Sequence, residues 1–240
     1  TEWHRVTKFS EKPVDPDPVP GRPESALASM GIYVFSTRLL EQLLVADAAN
    51  PASKHDFGRN VIPDAIANLQ VFAYPFQDVK TRAQNYWRDV GTIDAYYEAN
   101  LELVHVAPEL NIYDAEWPIW TYQLQQPPAK FVLEDGARVG TAINSMVAGG
   151  AIVSGAQIRE SLLFSNVRVN ERSTVYRSVI LPGVSIGRDC HVRGAIVDEG
   201  CEVPDGTSIG FDAAQDRKRF FVTDRGVVLV TAGMLRPAAA

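Results

Sequence analysis

Four short stretches of this chain group residues whose types could do chemistry. Tyr86-Trp87-Arg88-Asp89-Val90-Gly91-Thr92 sets one carboxylate, Asp89, between an aromatic-basic pair and a glycine. A carboxylate in a turn suits Mg²⁺, a hard cation that takes one or two carboxylates and completes its shell with water and phosphate oxygens. Capping the following helix is the alternative use of the same aspartate, and these seven residues leave both readings open. Glu11-Lys12 places opposite charges at the end of a strand-like segment, where they bind a polar ligand or pair on the surface. His55-Asp56 invites an acid–base reading, against an exposed loop histidine beside a helix-capping aspartate. Arg217-Lys218-Arg219, with Arg225 nearby, make a cationic cluster that suits a phosphorylated effector or is simply solvated.

The elements that must position these residues follow from periodicity. Thr92 is a good N-cap for a helix carrying Ile93, Tyr97, Leu101 and Val104 at helical spacing. Asp89 then falls in a strand-to-helix turn, the place where α/β proteins hold ligands. Residues 6–11, 28–35 and 71–76 read as strands. The second is almost continuously apolar, as expected of a strand covered on both faces, and Gly31 within it suggests a close approach to the backbone. Ser36 is placed to cap a helix whose Leu39, Leu40, Leu43 and Leu44 form a core stripe. Val61, Ile62, Ala65, Ile66 and Leu69 form a second stripe, starting or bending at Pro63. Prolines 13, 16, 18, 20 and 23 make an extended, exposed connection. Residues 106–131 read as an interdomain linker in which Trp117, Trp120 and Tyr122 are packed anchors.

From residue 139 onward the chain repeats. Ile152, Val169, Ile186 and Val203 lie 17 apart, and so do Ile158, Val175, Val192 and Ile209. Val147, Leu163, Ile180 and Ile196 form a third series with steps of 16, 17 and 16. Three apolar registers per period describe a triangular coil of three short strands, stacked so that the aliphatics form one column. Gly155, Gly187 and Gly206, with Pro182 and Pro204, suit the corners. The expected architecture is a parallel β-helix of about four coils. The final Val222–Val230 stretch reads as a hairpin turning at Asp224-Arg225-Gly226.

Composition narrows the function classes. A net charge of -6, from 23 basic and 29 acidic residues, speaks against nucleic-acid binding. No apolar run approaches a membrane span, and no signal peptide is legible. Cys190 and Cys201 make no metal-ligand pattern, so a reduced cytoplasmic setting is expected. The first residue is not Met and the opening segment already reads as a strand in mid-fold, so the chain is expected to be part of a longer one.

Five motifs in order carry a resemblance: Phe9-Ser10-Glu11-Lys12-Pro13, Ala28-Ser29-Met30-Gly31-Ile32-Tyr33, His55-Asp56-Phe57-Gly58, Tyr86–Thr92 and Pro127-Pro128-Ala129-Lys130-Phe131. With the repeat that follows, the chain resembles the bacterial glucose-1-phosphate adenylyltransferases. These enzymes join ATP to glucose 1-phosphate and release pyrophosphate and ADP-glucose for glycogen or starch synthesis. The resemblance implies an α/β fold: the carboxyl-terminal portion of a Rossmann-like nucleotidyltransferase domain, then a left-handed parallel β-helix. Residues 1–105 would be the sugar-phosphate half, 106–131 the linker, and 132–240 a regulatory and oligomerisation domain. The family's Gly-rich ATP loop has no counterpart here, so the ATP half is expected to lie outside this chain. By the same resemblance Glu11 takes sugar hydroxyls and Lys12 holds the sugar phosphate. Ser29, Gly31, Tyr33, Asp56, Phe57 and Trp87 line the glucose pocket, and Asp89 is a catalytic Mg²⁺ ligand. Arg217, Lys218, Arg219 and Arg225 would meet an allosteric phosphorylated metabolite, and the assembly would be a homotetramer. Three other readings remain: another sugar-1-phosphate nucleotidyltransferase, a β-helix acyltransferase using His191, and a regulatory subunit without turnover.

Overall fold

The apolar repeat builds three sheets running along a solenoid. One stacks Lys130–Val132, Ile152–Ser154, Arg168–Val169, Ser185–Ile186 and Glu202–Val203; a second stacks Thr141–Ile143, Gln157–Arg159, Thr174–Tyr176, His191–Arg193 and Ser208–Ile209. The third runs from Met146–Val147 through Leu162–Leu163, Val179–Ile180 and Ala195–Val197 to Val228–Val230, all parallel, and ends on the antiparallel strand Phe221–Val222. The column inside is dry and aliphatic: Ile158, Val169, Ile180, Val184, Ile186 and Ile209 are fully buried. The computed structural model describes residues 4–19, 21–135 and 138–235. Pro20 of the proline-rich loop and the polar opening residues 1–3 lie outside them.

The second register is as expected, with Ile158, Val175, Val192 and Ile209 paired in turn. The other two slip by one residue at one position each. Val153, not Ile152, pairs with Val169, and Val197, not Ile196, pairs with Ile180. Both positions lie in apolar pairs or triplets, where composition does not tell the inward side chain from its outward neighbour, yet adjacent residues of a strand face opposite ways. At one corner, serines replace apolar residues in a ladder. The Ser161 hydroxyl donates to Arg159 O and accepts from Ser178 N; the Ser178 hydroxyl donates to Tyr176 O and accepts from Ala195 N. Each corner amide thus finds a partner in a neighbouring coil, as buried donors must. Cys190 occupies the corner position one coil after Ser173, whose hydroxyl accepts from Cys190 N, so this buried thiol is a structural one.

Two compact units are present, Thr1–Trp87 and Arg88–Ala240. Helix Ile93–Glu102, which the expected 1–105 segment includes, packs within the second unit, where Tyr97 and Leu101 are buried with Val179, Ile196 and Val227. Its N-cap is Thr92, whose side chain accepts from Ala95 N at 3.1 Å. The basic stretch Arg217-Lys218-Arg219 is the end of helix Ala213–Arg219, capped by Asp212, and the hairpin after it is as expected. Trp117, Trp120 and Tyr122, expected as packed anchors, are 82%, 91% and 86% exposed.

The first unit departs most from expectation. Residues 6–11 are not a strand; His4–Arg5 pairs antiparallel with Phe72–Ala73, and the expected 71–76 strand shrinks to those two residues. Residues 28–35 form no strand, leaving Ile32 74% and Val34 97% exposed, while Arg22–Ala26 hairpins onto Pro18–Val19 inside the proline-rich loop. A strand exists only through a partner that takes its backbone N–H and C=O groups. Among the described residues, 28–35 has none. Helix Thr37–Ala48 forms, but Ser36 makes no side-chain cap and none of its residues is buried, so its leucines are not core. Helix Ile62–Asn68 does bury Ile62 and Ala65, with Pro63 in its first turn as expected.

Candidate functional site

The first unit brings six of the candidate residues, Glu11, Ser29, Gly31, Tyr33, Asp56 and Phe57, into one connected patch. Asp56 is the N-cap of a single π-helical turn, Phe57–Val61, and its carboxylate accepts from Arg59 N at 2.9 Å. That turn presents Phe57, whose ring stacks on Tyr33 at 5.8 Å between centroids and 17° between planes. Phe35 packs edgewise on Tyr33 and obliquely on Phe57. The Tyr33 phenol oxygen lies 3.0 Å from the Ser29 hydroxyl, which also accepts from Gly31 N at 3.2 Å. Gly31 adopts φ 71°, and no protein atom occupies the space where its side chain would stand. Glu11 reaches the π turn, so that its carboxylate lies against Gly58 close to Asp56. Polar groups around a small aromatic floor are what a sugar needs: acceptors for hydroxyls and a flat apolar face for the ring.

Lys12 follows Glu11 at φ 45° with its ammonium exposed, a compact point charge suited to an anion. Trp87 is half-buried in the same unit. His55 is held rather than free. Asp47 accepts from the Ser53 hydroxyl at 2.5 Å and meets His55 Nδ1 at 2.8 Å. These two contacts, Ser53 first, hold the Asp47 carboxyl below the ordinary carboxylate range. Asp47, Ser53, Phe35 and Gly58 escaped the sequence reading. Gly58 closes a quoted motif in which it was given no role and Phe35 adjoins another, but nothing in sequence ties Asp47 to a loop eight residues on.

Asp89 belongs to the second unit. It is exposed, and its carboxylate accepts from Gly91 N at 3.0 Å, while Thr92 caps the helix. The capping role that competed for Asp89 is therefore filled by another residue. Arg88 beside it forks onto Glu102 and bonds Glu109 at 2.5 Å, tying this turn to the far end of its helix. Those two carboxylates, Glu109 first, raise the Arg88 guanidinium's already high pKa. Among the described residues no three acidic, histidine or cysteine side chains converge as a metal cage. One open carboxylate still fits Mg²⁺, which binds through one or two carboxylates, water and substrate phosphates.

Of the distal cations, Arg217 and Lys218 are exposed in the last turn of their helix, a position its dipole favours. Arg219 lies over Phe220 at 4.7 Å, and Arg225 is paired with Glu98 at 2.5 Å. His191 sits on the solenoid surface, hydrogen-bonded to Thr174 and edge-on to Phe211.

Two family models match the chain: nucleotidyl transferase over residues 1–105, and GlmU-like C-terminal hexapeptide over residues 127–230. A glucose-1-phosphate adenylyltransferase of Methylococcus capsulatus is 57% identical over 227 residues, covering 95% of this chain and 54% of the relative. Those of Nitrosococcus oceani and Dechloromonas aromatica are 56% and 51% identical over 98% and 100% of the chain, covering 56% and 55% of the relatives. The chain thus spans about half the length of the curated relatives it matches. A nucleotidyl transferase segment followed by a hexapeptide-repeat solenoid, at this identity over nearly every residue, places the chain in the glucose-1-phosphate adenylyltransferase family.

Proposed function

We propose that a protein carrying this chain transfers the adenylyl group of ATP to glucose 1-phosphate, giving ADP-glucose, a glucosyl donor for glycogen, and pyrophosphate. The observation that carries this reading is the Glu11–Asp56–Phe57–Tyr33–Ser29 patch: carboxylates and hydroxyls beside stacked rings, with the exposed Lys12 following Glu11 in the chain. In this reaction a sugar-phosphate oxygen forms a bond to the α-phosphorus of ATP while the bond to pyrophosphate breaks. A phosphate monoester is already ionised near pH 7, so no general base is needed. The protein's part is placement and charge neutralisation. Lys12 holds the sugar phosphate, and Glu11, Asp56 and Ser29 fix the hydroxyls. The Tyr33–Phe57 floor and Trp87 form the apolar wall, and Gly31 leaves room above its backbone. Because no general base is needed, the reaction asks no proton transfer of His55, which Asp47 holds in its loop. Asp89 would hold Mg²⁺, which supplies charge stabilisation on the phosphates.

The same reading makes Arg217 and Lys218, with Arg219 and Arg225, the contact for a phosphorylated effector, Arg225 after release from Glu98. It gives the protein a homotetrameric assembly, a cytoplasmic site of action and no nucleic-acid or membrane partner. No helix among the described residues is long and apolar enough to cross a membrane. The test is Lys12→Ala in a full-length protein carrying this sequence. Loss of a charge-assisted contact costs about 1.5–3 kcal/mol, so the KM for glucose 1-phosphate should rise roughly ten- to a hundredfold with the KM for ATP little changed. An unchanged sugar-phosphate KM would overturn the assignment.

A further inference from the structure

Gly58 is glycine for a reason that its backbone does not supply. It lies in the helical Phe57–Val61 turn and is absent from the residues at positive φ, so any L-residue could adopt its conformation. A glycine in such a turn is less stable than alanine. What excludes a side chain is its neighbour. A Cβ at residue 58 would fall inside van der Waals contact of Glu11 Oε2, 2.9 Å from Glu11 Cδ and 3.4 Å from Asp56 Oδ1. The bare face of Gly58 is therefore where two carboxylates from distant parts of the unit come together, and the residue is itself buried.

The loop beneath that face is braced. Asp47 holds Ser53 and His55, Asn60 Oδ1 accepts from Lys54 N, and Asp56 accepts from Arg59 N. Glu11, itself half-buried, by contrast reaches the site on a flexible side chain from an irregular, mostly exposed segment. If the face is filled, the group that gives way is the Glu11 carboxylate, not the loop.

We propose that Gly58 is a positioning residue that seats the Glu11 carboxylate beside Asp56, and that its lack of a side chain sets how the site discriminates sugar hydroxyls. This rests on the sugar-phosphate reading of the patch given above. Gly58 touches no substrate; it acts through Glu11. A methyl here moves a hydrogen-bonding group off the sugar while leaving the phosphate contact and the aromatic floor in place.

The test is a double-mutant cycle in a full-length protein carrying this sequence, with Gly58→Ala, Glu11→Ala and both together. The probes are glucose 1-phosphate and analogues each lacking one hydroxyl. Gly58→Ala should raise the KM for glucose 1-phosphate roughly tenfold with the KM for ATP unchanged, and should flatten the discrimination against one deoxy analogue. On the Glu11→Ala background the same substitution should add almost nothing, because the group it displaces is gone. If Gly58→Ala alone fails to fold, the double variant should recover folding, since the clash is with Glu11. Additive effects, or failure of both variants to fold, overturn the proposal. A Glu11→Ala variant with unaltered sugar-phosphate kinetics points instead to failure of the underlying site reading, and Lys12→Ala tells the two failures apart.

Discussion

Ile180 and Ile32 are the same side chain in two situations. Ile180 is fully buried, paired with Leu163 on one side and Val197 on the other. Ile32 lies in an equally apolar stretch, Met30–Phe35, yet it is 74% exposed. The difference is where each finds its partner. A solenoid coil packs against the next coil, about 17 residues away, so every apolar register carries its own cover. A strand of an α/β sheet takes its hydrogen bonds from strands far off in sequence, and 28–35 has no such neighbour among the described residues. Local repetition makes one unit self-sufficient; the other holds its 53–58 loop by side-chain contacts rather than by strand pairing.

The largest expected effect sharpens where the self-sufficient unit begins. Helix Ile93–Glu102 buries Tyr97 and Leu101 on the solenoid, and the Tyr97 phenol donates to Arg177 O at 2.5 Å. Burying two such side chains contributes about 1.5–3 kcal/mol each. A fragment of residues 88–240 should therefore be more stable than one of 132–240 by roughly 3–6 kcal/mol in denaturant unfolding. Equal midpoints would mean that the helix is only resting there. Next comes a paired substitution. Ile180→Ala should cost about 2–5 kcal/mol, whereas Ile32→Ala should stay within about 0.5 kcal/mol, both read from chemical unfolding. A large loss at Ile32 would break the contrast.

Acid separates the units more gently. The Asp47 carboxyl is held below its ordinary range by Ser53 and then His55. Its brace on the 53–58 loop is therefore complete above the unfolded carboxylate pKa and is lost as pH falls through the lowered folded value. Amide exchange of Ser53–Gly58 should speed up over that acidic window while the solenoid's circular dichroism holds, and Asp47→Asn should remove the dependence. Solenoid signal lost in the same step would contradict it.

Much of this was readable in the sequence because the physics is local. The period, the Thr92 cap and the 222–230 hairpin each depend on residues within one coil or one turn of one another. The single-residue slips at Val153 and Val197 arose where adjacent apolar residues blur the inward face. The site was legible only as motifs. That Glu11 meets Gly58, or that Asp47 braces His55, depends on tertiary approach that no spacing encodes. Asp89 is the clearest case of structure adding to motif: Thr92 takes the capping role and leaves the Asp89 carboxylate exposed.

Asp89→Asn in a full-length protein carrying this sequence tests the adenylyl-transfer account most directly. Asn keeps a side-chain oxygen that can accept from Gly91 N and nearly the same shape, so the melting temperature should not change. Turnover of ATP and glucose 1-phosphate, followed by pyrophosphate release, should fall on the order of a hundredfold or more, because a ligand of the phosphate-clamping ion acts mainly on the transition state. The Mg²⁺ concentration for half-maximal rate should rise with it. Near-normal turnover at saturating Mg²⁺ would contradict the account.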